Sequence, residues 1–73
     1  MTRVLHLLKG GDTSLALDTI ARQQAAGDTI TVVLLPGAEM RPPAGVTTRR
    51  VPADLSWDRL LEAIFESDQV IAW

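Results

Sequence analysis

The run Val4-Leu5-His6-Leu7-Leu8 leads straight into Lys9-Gly10-Gly11 and then Asp12-Thr13-Ser14. A strand that is apolar on both faces belongs in a parallel sheet covered on both sides, since a sheet wetted on one face would alternate polar and apolar residues. The glycine pair supplies a turn, and Asp12 or Thr13 can accept a hydrogen bond from the free N–H groups that open a helix. The chain therefore begins strand, turn, helix. That assigns an α/β class and marks the carboxyl end of the first strand as the functional edge.

The helix is predicted from about Thr13 to Ala26, with Leu17, Ile20, Ala21 and Gln24 on one stripe, widened at its start by Leu15 and Ala16. Gly27 supplies the left-handed residue that ends it. Ile30-Thr31-Val32-Val33-Leu34-Leu35 is a second buried strand, stopped by Pro36-Gly37. Pro36, Gly37, Pro42, Pro43 and Gly45 make the next stretch an irregular connection. Val46 to Val51 reads as a third, more polar strand that Pro52 closes. Ser56 is a good N-cap for the last helix, and Leu55 can pack on Leu60 as a hydrophobic staple. Trp57, Leu60, Leu61, Ile64 and Phe65 share one helical face, which places Trp57 in the core. Asp58, Glu62 and Glu66 form a solvated ladder, and Val70-Ile71-Ala72-Trp73 is a terminal strand. The predicted architecture is a small three-layer α/β/α domain with a mainly parallel four-stranded sheet, in the order β-α-β-β-α-β.

A chain of 73 residues makes one domain, here residues 1–73. A domain of this size buries only about 60% of the surface its unfolded chain exposes, so it needs disulfides, metal or association for stability. Cysteine is absent, which removes disulfides and thiol chemistry, and the single histidine argues against a metal site. Association remains, and two helices cannot fully cover both faces of four strands. The expected state is an oligomer. A net charge of −2 gives no overall footprint for nucleic acid, and Arg41, Arg49 and Arg50 read as ordinary solvated arginines. No run is long enough to span a membrane, and Met1-Thr2-Arg3 enters a strand directly, so a cytoplasmic location is expected.

Chemistry is sparse. Lys9, Gly10, Gly11, Thr13 and Ser14 lie between a strand and a helix N-terminus, where an anion or nucleotide phosphate could sit, although Asp12 opposes a negative ligand. His6 faces the same side as Val4 and Leu8, as a hydrogen-bonded core or interface residue, and Trp73 is a packing anchor or a partner contact. No nucleophile and base, no carboxylate pair and no metal set stands out, so neither a catalytic residue nor a cofactor is expected.

Both ends of the chain resemble the DsrE/DsrF/DsrH-like family, and within it the small DsrH/TusB-like branch. The resemblance lies in Val4-Leu5-His6-Leu7-Leu8-Lys9, the strand from Thr29 to Leu35, Ser56-Trp57-Asp58-Arg59-Leu60-Leu61, and Gln69-Val70-Ile71-Ala72-Trp73. The family's further helix and strand after the second strand are compressed here into Gly37 to Gly45, and its persulfide cysteine is missing. The resemblance implies a non-catalytic partner of cysteine-bearing DsrE-like subunits in a sulfur relay serving tRNA thiolation or sulfur oxidation. Direct nucleic-acid binding is not expected, given the net charge of −2. The alternative is a small anion- or nucleotide-binding module built on Lys9 to Ser14.

Overall fold

A computed structural model describes residues 2–11, 13–41 and 43–73. The elements run β1 (Arg3–Leu8), α1 (Ser14–Ala25), β2 (Thr29–Leu34), β3 (Thr47–Arg50), α2 (Trp57–Glu66) and β4 (Gln69–Ala72). This is the order expected from the sequence, and the sheet is parallel throughout: β1 pairs with β2 and β4, and β2 pairs with β3. The strand order is β3-β2-β1-β4, so β1 lies inside the sheet with β2 while the polar β3 and the short β4 form its edges. That explains why β1 and β2 are apolar on both faces and why β3 could afford Thr47, Thr48, Arg49 and Arg50.

Alternation sorts the strand residues between two cores. Val4 and Leu8 of β1, with Ile30, Val32 and Leu34 of β2, meet Ala16 and Ile20 of α1, and Ala38 from the following loop closes this cluster. On the opposite face Leu5, Val33, Val51 and Leu60 of α2 form a smaller cluster, flanked by Leu7, Leu35, Leu55 and Ile64. One helix on each face completes the three layers.

Two helical faces depart from the sequence reading. In α1 the buried residues are Ala16 and Ile20, whereas Ala21 and Leu15 are exposed. The small Ala16 lets the helix approach the sheet there, which centres the contact stripe one position earlier than expected. In α2 only Leu60 is buried and Ile64 half-buried; Trp57, Leu61 and Phe65 are 54%, 55% and 83% exposed. Trp57 is therefore not a core residue, and Trp57 and Leu61 do not pin the helix. The apolar arc of α2 is broader than the strip of sheet it covers, so only its Leu60 and Ile64 side makes contact. The N-cap is as expected: Ser56 Oγ accepts a hydrogen bond from Arg59 N at 3.2 Å.

Ile20→Ala should cost about 2–5 kcal/mol, because it opens a cavity in the larger cluster. Phe65→Ala should change stability by no more than about 0.5 kcal/mol, as for other exposed positions. Urea midpoints of the two variants test this, and comparable losses would mean that the α2 face is buried in the folded protein.

Candidate functional site

All four strands point the same way, so their carboxyl ends share one rim. From β1 the chain crosses through α1 to β2 on one side, and from β3 it crosses through α2 to β4 on the other. The reversal falls between β1 and β4, the place where open α/β sheets commonly take ligands. Here Trp73 occupies that place on the α1 face. Its backbone N donates to Leu7 O at 2.9 Å, and its indole Nε1 donates to His6 Nδ1 at 2.9 Å. The ring planes lie within 10° of parallel with centroids 6.0 Å apart, which suits a hydrogen bond between ring edges.

The network fixes the histidine. An indole N–H can only donate, so Nδ1 must be the bare nitrogen and the proton sits on Nε2. That proton is donated to Gln23 Oε1 at 2.7 Å. His6 is completely enclosed, and the Trp73–His6–Gln23 chain ties β4, β1 and α1 together with both imidazole nitrogens hydrogen-bonded. Both ring nitrogens are engaged within the chain, which leaves no lone pair for a substrate or metal. Trp73 is half-buried against the α1-side cluster and acts as its packing anchor.

The turn after β1 is built as its glycines require: Gly10 and Gly11 have φ of 133° and 85°. A Cβ on Gly10 would lie 3.4 Å from Gly37 O, so the turns after β1 and β2 touch. Lys9, Gly10 and Gly11 are exposed, Ser14 opens α1, and Asp12 lies outside the described residues. Thr13 is the N-cap residue of α1, yet its side chain makes no capping bond. Of the expected anion-binding residues, Thr13 lines a cavity. That cavity, of about 520 Å³, is lined by Thr13, Glu39, Met40, Arg41 and Arg50.

Sequence reasoning missed Arg41 and Arg50 as site residues. Arg50 Nη1 donates to Ala38 O at 3.4 Å, and its guanidinium meets both Glu39 carboxylate oxygens at 3.2 and 3.4 Å. The signal was positional. In an all-parallel sheet the turn after β1, the loop after β2 and the last residue of β3 must gather on one rim.

A second cavity of about 350 Å³ lies at the amino ends, lined by residues including Arg3, Thr29, Thr31, Ala63 and Glu66. Ala63 and Glu66 of α2 thus border a cavity shared with β1 and β2. Away from this cavity, Trp57, Leu61 and Phe65 of α2 are exposed, as is Val70 of β4. Among the described residues no group of three or more His, Asp or Glu could hold a metal ion, and no helix is long and apolar enough to cross a membrane. Comparison with protein-family models, curated proteins and solved structures finds no match to this chain.

Trp73→Phe should destabilise the protein by about 1–3 kcal/mol, since it removes the indole donor to a buried acceptor. In the unsubstituted protein, long-range ¹⁵N–¹H spectra of the imidazole should report a proton on Nε2 and none on Nδ1. A protonated Nδ1 would contradict the assigned network.

Proposed function

We propose that this chain is an interaction subunit with no chemistry of its own, docking through the outer face of α2 and the adjoining edge strand β4 onto a second protein. The observation that carries this reading is the stripe Trp57, Leu61 and Phe65, spaced i, i+4, i+8 and left open to solvent, with Val70 of β4 exposed as well. Scattered apolar side chains on a surface are ordinary, but a contiguous patch with two aromatic rings marks an interface. In a domain this small the patch is also the natural site for added stability.

Charge favours a different chain over a second copy. The solvent side of the stripe carries Asp58 and Glu62, and Asp68 lies at its foot beyond the end of α2. Arg59 pairs with Glu62 at 3.2 Å, which leaves Asp58 and Glu66 of the helix without an ion pair among the described residues. Two copies meeting on this face would bring like-charged borders together, whereas an apolar surface edged with lysine or arginine would complement them. The resemblance of both chain ends to DsrH/TusB-like proteins supports a cysteine-bearing DsrE-like subunit of a sulfur relay as that partner. Persulfide transfer would then fall entirely to the partner, since this chain contains no cysteine.

Phe65→Glu should weaken the complex with a cysteine-bearing DsrE-like chain encoded in the same genome by at least about tenfold, as expected for an aromatic anchor at an interface. The fold should be retained, because Phe65 is almost fully exposed. Light scattering of the mixed and separate chains measures this. A mixed complex indifferent to Phe65→Glu would overturn the docking face, and a chain that pairs only with itself would overturn the choice of partner.

A further inference from the structure

We propose that the cleft between Thr13, Met40, Arg41 and Arg50 binds a small organic phosphomonoester. The cleft lies at the carboxyl rim of the sheet, on the α1 face and toward β3, while the docking face is the outer side of α2 on the opposite face. The two readings stand or fall separately.

The cationic groups are arranged for an anion. The Arg50 guanidinium is held by Ala38 O and the Glu39 carboxylate, while its backbone N donates to Asp54 Oδ2 at 3.0 Å. A guanidinium fixed in this way presents its remaining donors at low entropic cost and suits the geometry of a phosphate. Arg41 has no ion-pair partner among the described residues, so its charge is available to a ligand. Among the residues that line the cleft, two arginines stand against one carboxylate, Glu39, and Asp54 meets the backbone of Arg50 in a chain whose net charge is −2. That balance suits a monoester carrying one or two negative charges and is poorly matched to a polyphosphate.

The walls are preformed. Ala38 N donates to Leu35 O at 2.9 Å and Ala38 itself is buried, which fixes the first turn of the β2–β3 loop. The far end of that loop is held where Gln24 Nε2 of α1 donates to Ala44 O. Met40 is half-buried against the α1-side cluster and gives the cleft an apolar wall, on which the carbon skeleton of an ester can rest. A volume of about 520 Å³ accommodates a ligand of nucleoside monophosphate size. Lys9 does not line the cleft, so this site differs from the glycine-turn anion site that the sequence suggested.

Amide chemical shifts during titration with AMP, adenosine and inorganic phosphate at low salt test the proposal. AMP should give saturable shifts centred on Thr13, Met40, Arg41 and Arg50. Inorganic phosphate should compete with it more weakly, and adenosine should give none. Arg41→Gln, which breaks no hydrogen bond or ion pair among the described residues, should weaken AMP about tenfold, the effect of losing one charge-assisted contact. Lys9→Gln should leave the affinity unchanged. Absence of saturation with AMP, equal shifts with adenosine, equal affinity for inorganic phosphate, insensitivity to Arg41→Gln, or shifts confined to Lys9–Gly11 and lost in Lys9→Gln would each overturn it.

Discussion

The structure depends on a shortage of cover. Strands β1 and β2 are apolar on both faces, so each face of the sheet requires a helix, and the chain supplies one for each. A helix about 10 Å across shields two strands well and four incompletely. Both helices therefore sit over the central pair, and the edges must be managed by other means. At β3 the solution is polarity, with two threonines and two arginines discouraging further strand pairing. At β4 the α1 face is closed by Trp73, while the α2 face keeps its apolar side chains in water.

The polar network inside the larger core follows from the same geometry. A histidine at the centre of β1 is tolerable only with both nitrogens satisfied, because an unpaired polar group in an apolar interior loses its hydration without compensation. Gln23 comes from the last turn of α1 and the indole from the residue after β4. The three groups can meet only when α1, β1 and β4 are in register, so their directional bonds select this register over nearby alternatives that apolar packing alone would tolerate.

Much of this architecture was legible in the sequence. Apolar runs in Val4–Leu8 and Ile30–Leu35 marked buried parallel strands, and the Ser56 cap located α2 to the residue. Periodicity alone could not show how much of the apolar arc of α2 the sheet would cover, since that depends on the width of sheet each helix reaches. Trp57 was placed inside for that reason. The β1 turn was recognisable from its glycines, but Arg41 and Arg50 are distant in sequence from Thr13 and meet it only through the strand order. The His6 partners were similarly hidden, because Gln23 looks like an ordinary helix residue and Trp73 lies at the opposite end of the sequence.

The placement of the two tryptophans gives the molecule two separate optical reporters. Trp57 sits largely in water on the α2 surface, whereas Trp73 is half-buried with its indole N–H bonded to an imidazole. Their emission must differ in wavelength and in accessibility to a soluble quencher, with Trp57 the redder and more readily quenched. A ligand that covers α2 changes the first signal alone, and loss of tertiary structure changes the second. Surface occupancy and integrity of the core can thus be followed independently in one unlabelled sample.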